Sequence, residues 1–251
     1  MRTQVGIVGA GPSGLLLSQL LSKQGIDNVV LEKHSREYVE ARIRAGVLET
    51  TTVELLDQAG VGERMHAEGL IHEGFSIAFS GQLRRIDMAG LTDGHTVMIY
   101  GQTEITKDLF NARSDAGGNI ICEAADVEIH DFDTDSPRIT YTKDQSAHEI
   151  QCDLIAGCDG FHGICRASVP KRSIRELERV YPVGWLGVLA DTPPVDEELI
   201  YVNHENGFAL CSMRSKSRSR YYLQCALDEK LDEWPDGRFW DELKSRLPAN
   251  K

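Results

Sequence analysis

Three glycines near the amino terminus, Gly9, Gly11 and Gly14, have the spacing G-x-G-x-x-G, and an acid, Glu32, closes the next apolar run. Between a strand and a helix, that pattern does phosphate and ribose chemistry. Gly9 makes the tight turn, Gly11 lets the backbone approach a pyrophosphate, and Gly14 lets the helix pack closely on the strand. The first amides of the helix and its dipole then face the anion, while the acid reaches a ribose hydroxyl. The pattern alone does not separate NAD from FAD, and the same glycines could build a βα turn that holds no ligand. Arg42 and Arg44 lie two apart, which in an extended segment aims both side chains the same way. Their guanidinium groups suit phosphate oxygens, or they form a solvated basic turn. Asp159-Gly160, after the apolar Leu154-Ile155-Ala156, is either a second ribose or pyrophosphate contact or an ordinary turn.

The elements needed to position these residues are legible. Residues 5–8 read as a buried parallel strand. Leu15, Leu16, Leu17, Leu20 and Leu21 form a strongly apolar helix that Gly25 ends, and 29–31 form a second strand. Residues 4–33 are thus a βαβ unit. A polar, arginine-rich stretch covers 35–46, and 47–59 has helical spacing. Residues 74–86 read as strands, and 103–116 as a helix with Thr103 as its N-cap. Short alternating runs occupy 119–156, the chain is strand-rich from 181, and 228–247 is helical. The expected fold class is α/β, mixed toward α+β. A dinucleotide-binding βαβ domain with inserted strands covers 1–180, and an antiparallel-sheet substrate domain covers 181–251.

Bulk properties narrow the classes. At 251 residues the chain can bury a real core, and 41% hydrophobic with 26% charged residues is ordinary for a globular protein. A net charge of -12 argues against a nucleic-acid partner, which needs a basic surface. The six cysteines form no C-x-x-C pair, so no metal site is expected. They read as small buried hydrophobes. No signal peptide and no apolar run of membrane-spanning length is visible. The reading is a cytoplasmic chain with reduced thiols and no membrane partner.

Several segments together resemble one family. They are Gly9-Ala-Gly11-Pro-Ser13-Gly14, Glu32, Arg42-Ile-Arg44-Ala-Gly46-Val47, Tyr100-Gly-Gln102-Thr-Glu104 and Gly157-Cys-Asp159-Gly160. With them go Glu198-Leu-Ile-Tyr201, Gly207-Phe-Ala-Leu-Cys211-Ser212 and Ser219-Arg220-Tyr221-Tyr222. Over essentially the whole chain they resemble the class A flavoprotein aromatic hydroxylases. The resemblance implies FAD as cofactor and NADPH or NADH as reductant. The implied reaction is hydroxylation of 4-hydroxybenzoate to 3,4-dihydroxybenzoate with O2, through a flavin hydroperoxide. It places Gly9, Gly11, Ser13, Gly14, Glu32, Arg42, Arg44, Val47, Gln102, Asp159 and Arg220 at FAD. Tyr201, Ser212, Arg214 and Tyr222 fall at the substrate, and Lys33, His34, Tyr38 and His162 at the nicotinamide cofactor. Lys33 stands where the family pattern has an arginine, which leaves the choice of NADPH or NADH open.

Chemistry agrees with these roles. Arg214 can grip a carboxylate bidentately, and Ser212 can add a hydroxyl donor. Tyr201 could hold a phenol oxygen and pass on its proton, and His72 could exchange that proton with solvent. Without the resemblance, Tyr201 and Tyr222 read as ordinary strand tyrosines, Arg214 and Arg220 as part of a solvated hairpin, and His72 as incidental. The family also carries a later Gly-Asp signature and a carboxy-terminal helical region that contributes to a homodimer. Neither is matched here. The chain is therefore expected to be truncated, with both domains incomplete, an unpaired sheet edge and weak retention of FAD. The alternative is a catalytically dead fragment that binds a nucleotide or a partner. An NAD-dependent dehydrogenase shares the glycine pattern but leaves Arg42-x-Arg44 and Asp159-Gly160 unexplained.

Overall fold

The structure is a computed structural model and describes residues 1–249. The chain begins β1 (Val5–Val8), α1 (Pro12–Lys23), β2 (Asn28–Leu31), α2 (Arg36–Ala41), β3 (Val47–Glu49), α3 (Thr50–Ala59), α4 (Glu63–Glu68) and β4 (Leu70–His72). It continues with β5 (Gly74–Phe79), β6 (Gln82–Asp87), α5 (Met88–Leu91), β7 (Val97–Ile99), α6 (Gln102–Asp115), β8 (Asn119–Ile121), β9 (Ala125–His130) and β10 (Arg138–Lys143). Then follow β11 (Ser146–Gln151), β12 (Leu154–Gly157), α7 (Ile164–Ser168), β13 (Val183–Ala190), β14 (Leu199–Asn203), β15 (Ala209–Ser215), β16 (Arg218–Ala226) and α8 (Asp236–Arg246). Contacts divide these into two units. The first holds Met1–Gly46, Thr51–Glu68 and Gly101–Glu176; the second holds Val47–Thr50, Gly69–Tyr100 and the chain from Leu177.

In the first unit a parallel sheet runs β12-β1-β2-β8. Every residue of β1 and β2 is buried, as apolar strands covered on both faces must be. Helix α1 packs against β2 and α6. A polar staple fixes α1 to the sheet: the Ser18 hydroxyl donates to Asn28 Oδ1, and the Asn28 amide donates to Ser22 Oγ and to the Ser18 and Ile26 carbonyls. The antiparallel trio β11-β10-β9 lays Ile139, Tyr141 and Ile150 into one core with Val8, Val29 and Leu31. Strand β12 forms an edge of the parallel sheet.

In the second unit a six-stranded sheet runs β13-β16-β15-β14-β5-β6. It departs from the expected antiparallel substrate sheet at one place: β14 and β5 run parallel, with Leu199 beside Phe75. The chain passes from the first unit to the second between Glu176 and Leu177, close to the division expected near 180. Residues 69–100 belong with the second unit, joined to it by a contact so distant in sequence that no local pattern announces it. Ile200, Val202, Ala209, Cys211, Tyr221 and Leu223 face one side and pack on Phe239 and Leu243 of α8. Each fully buried aliphatic side chain there is worth roughly 1.5–3 kcal/mol. Arg246 of α8 donates to the Phe208 and Gln224 carbonyls, both at 3.0 Å, and so ties the helix to the sheet. A small antiparallel sheet, β3-β7-β4, ends in His72.

Two element boundaries differ from the sequence reading. Residues 47–49 are strand rather than the start of a helix, because Leu48 pairs with Met98 across β3 and β7. Helix α6 starts at Gln102 with Gly101, not Thr103, at its N-cap. Among the described residues no helix is long and apolar enough to cross a membrane.

Candidate functional site

The glycine turn between β1 and α1 is built as its spacing requires. Gly9 has φ +106°, and a Cβ there would lie 2.5 Å from the Cys158 carbonyl oxygen. At Gly14 a Cβ would lie 1.9 Å from the Gly9 oxygen, so helix and turn touch through this residue. Gly11 differs: a Cβ there would meet nothing within 4 Å. It is the N-cap of α1, and no side chain caps the helix. Open space therefore lies over first-turn amides that no side chain serves. That combination fits a pyrophosphate. Ser13 is exposed in the same first turn.

Glu32 braces this turn. Its Oε2 accepts the Ala10 N–H and its Oε1 accepts the His34 N–H, each at 2.9 Å. Arg42 and Arg44 are both exposed on the segment after α2. The Gln102 N–H donates to the Ala45 carbonyl at 3.1 Å, so the start of α6 lies against the segment that carries both arginines. Val47 is exposed on β3, in the second unit. Asp159 follows β12, and its Oδ2 accepts the Cys165 N–H at 3.0 Å, in the first turn of α7.

The residues assigned to a nicotinamide cofactor fall in two places in the first unit. Lys33 is exposed just after β2. His34 and Tyr38 stack with ring centroids 4.1 Å apart at the start of α2, whose N-cap Ser35 accepts the Tyr38 N–H. His162 is exposed on the turn after β12, edge-on to Phe161.

In the second unit the six-stranded sheet gathers the residues assigned to the substrate. Alternation sends Ile200, Val202, Cys211, Tyr221 and Leu223 into the core, so Tyr201, Ser212, Arg220 and Tyr222 take the opposite face. Cross-strand pairing sets Tyr201 beside Leu210, Leu210 beside Tyr222, and Ser212 beside Arg220. Tyr201 meets Phe75 edge-on, with ring centroids 5.6 Å apart. Arg214 lies where the β15–β16 register shifts, between Met213 and Ser215, and such a bulge re-aims a side chain. Burial first, then the nearby Arg220 charge, hold the Arg214 guanidinium below its ordinary proton affinity, while Tyr222 acts the other way. Two cations placed this close on a partly desolvated face suit an anion.

His72 is also in the second unit, 3% exposed, and neither ring nitrogen has a hydrogen-bond partner among the described residues. Burial pushes its proton affinity down, and Glu198 opposes that shift. Glu198 and its partner Arg85 were not singled out as functional in the sequence. The only available signal was the place of Glu198 in the matching segment that ends at Tyr201.

The comparisons with known proteins agree with one another. The sequence model of a family described as FAD binding domain matches residues 2–251. The p-hydroxybenzoate hydroxylase of Acinetobacter baylyi is 55% identical over 247 residues, 98% of this chain and 61% of that protein. The 12-dehydrotetracycline 5-monooxygenase/anhydrotetracycline 6-monooxygenase of Streptomyces rimosus is 31% identical over 64% of this chain and 31% of its own length. The chain thus spans 61% of the first relative and less of the second. Among solved structures, p-nitrophenol 4-monooxygenase PnpA from Pseudomonas putida superposes with TM-score 0.83 at 19% identity, over 100% of this chain and 64% of that one. PqsL of Pseudomonas aeruginosa, in complex with 2-aminobenzoylacetate, gives 0.83 at 20% identity, over 100% of this chain and 69% of that one. At such identities the likeness is one of fold.

Proposed function

The chain belongs to the FAD-binding domain family, and from that premise we propose that it serves an aromatic monooxygenase converting 4-hydroxybenzoate to 3,4-dihydroxybenzoate with NADPH or NADH and O2. The observation that carries this reading is the gathering of Ser212, Arg214, Arg220 and Tyr222 at one side of the six-stranded sheet, away from its core. The 55% identity to a p-hydroxybenzoate hydroxylase supports the choice of substrate.

When bound, FAD would supply the redox chemistry that activates O2 with electrons from the nicotinamide, one oxygen atom going to the ring and the other to water. The chain's own residues bind and orient. The amides over Gly11 and the first turn of α1, braced by Glu32, receive the pyrophosphate. Within the first unit Ser13, Arg42, Arg44, Gln102 and Asp159 would add contacts to FAD, and Lys33, His34, Tyr38 and His162 would meet the nicotinamide cofactor. Arg214 takes the substrate carboxylate in a charge-assisted, bidentate grip, and Ser212 Oγ adds a donor. Tyr222 lines the same face. Tyr201 Oη hydrogen-bonds the phenol oxygen and relays its proton, taking it up as the tyrosine's own hydroxyl proton moves on, so Tyr201 stays neutral. The ring becomes a phenolate, richer in electrons and readier for an electrophile. His72 receives the proton through its imidazole and returns it to solvent.

The visible spectrum of the purified chain, loaded with FAD and titrated with 4-hydroxybenzoate, tests this reading. With FAD in excess, the flavin band should shift and saturate as 4-hydroxybenzoate is added. Arg214→Ala should weaken the titration about ten- to a hundred-fold, the equivalent of one charge-assisted hydrogen-bonded grip. A flavin band indifferent to 4-hydroxybenzoate, or an Arg214→Ala chain that binds it as well as the parent, rejects the proposal.

A further inference from the structure

We propose that Glu198, held in place by Arg85, is a positioning residue that sets how readily His72 takes up and releases its proton. Its value to catalysis rests on the hydroxylase reading above; the electrostatic relation itself does not.

The arrangement starts from strand register. Leu199 pairs with Phe75 in the parallel β14–β5 contact, so Glu198 comes alongside Gly74, two residues beyond His72. Arg85 of β6 then locks the carboxylate with two parallel bonds, Nε to Oε2 at 2.6 Å and Nη2 to Oε1 at 2.8 Å. This fork geometry fixes the carboxylate as a lysine's point charge would not. Gly74 makes room for it. A Cβ on residue 74 would lie 2.9 Å from Arg85 Cζ and 2.4 Å from the Ile86 carbonyl oxygen, so any larger residue would push the guanidinium off its path. The Gly74 backbone also hydrogen-bonds Glu198. Three neighbouring elements thus hold one carboxylate beside a histidine that has no polar partner of its own.

The physical consequence concerns sign. A buried imidazole with no hydrogen bond resists protonation, and a proton carrier that never charges cannot exchange with solvent. A fixed negative charge nearby restores part of that affinity, and the Arg85 charge limits how much. The titratable groups around His72 are Glu73 beside it in sequence, Arg85 and Asp87 on β6, Glu198 before β14, and His95 two residues before Val97, which pairs with His72. Among the carboxylates Glu198 is the one whose charge bears on the imidazole, and Arg85 is the cation paired with it. Removing either member of the ion pair should therefore move His72 in opposite directions. A merely structural role would not produce that result.

The test is an NMR titration of the His72 ring in the full chain, assigned with His72→Asn, and it needs neither FAD nor substrate. Glu198→Gln should lower the midpoint by about half a pH unit or more, and Arg85→Met should raise it, as loss and unmasking of a neighbouring carboxylate require. Arg85→Lys, which keeps the charge without the fork, should fall between the parent and Arg85→Met and guards against a folding defect in Arg85→Met. Opposed shifts with partial rescue by lysine support the proposal. Shifts in the same direction, or no shift in Glu198→Gln, overturn it. A chain that shows the opposed shifts but whose bound flavin ignores 4-hydroxybenzoate would refute the hydroxylase reading and leave the Glu198–His72 relation standing.

Discussion

Glu32 shows how a side chain proposed to serve a ligand can also brace the turn that would receive it. Both carboxylate oxygens accept backbone N–H groups, Ala10 on one side and His34 on the other. A glutamine offers only one acceptor oxygen and turns its NH2 toward the second N–H, setting donor against donor. Glu32→Gln should therefore cost about 1–3 kcal/mol, a fall of several degrees in Tm for a chain of this size, and should weaken FAD binding. Differential scanning calorimetry and flavin fluorescence titration measure the two effects, and a Glu32→Gln chain that matches the parent in both would show that the brace contributes nothing. The sequence marked Glu32 as a ribose ligand because it ends the second strand. That it also holds the glycine turn depends on where β2 stops relative to Ala10, which spacing alone does not give.

The βα turn separates two kinds of glycine by what surrounds them. Gly14 is required by packing, since a Cβ would collide with the Gly9 oxygen at 1.9 Å. Gly11 faces open space, so the free chain does not need it; a ligand would. Gly14→Ala should destabilise the chain before any cofactor is added. Gly11→Ala should keep the thermal midpoint of the free chain within about one or two degrees, the effect of an unstrained surface change, and lose FAD affinity. Thermal melts with and without FAD distinguish these cases, and a Gly11→Ala chain that binds FAD normally would deny the pyrophosphate its place there. This unit was legible because its signals are local: a leucine-rich helix, two apolar strands and three glycines between them. Elements made by distant partners were not. Residues 47–49 carry helix-like spacing but become strand because β7 pairs with them. Residues 69–100 look like a continuation of the first domain until β14 claims β5. In the six-stranded sheet, alternation places Tyr201 and Tyr222 on one face, but the register shift at Arg214 is invisible in the sequence, and so is the approach of Arg214 to Arg220.

At the scale of the whole molecule, two forces act on its behaviour in solution, and they oppose each other. The net charge of -12 makes copies repel. Strand β12 forms an edge of the parallel sheet and leaves Leu154 66% exposed. Phe161, Ile155 and Val169 help line a cavity of about 570 Å³ beside it. An apolar strand edge of this kind invites another strand. Repulsion between surface charges is screened within about 8 Å at physiological salt, whereas edge pairing and apolar contact are not. Light scattering of the purified chain should therefore rise with protein concentration, and more steeply as sodium chloride is added. Leu154→Lys should suppress that rise. The added lysine makes the net charge less negative, so charge repulsion alone predicts more association in the variant. Less association would locate the contact at β12, and scattering equal to or above the parent's would remove this edge as its cause.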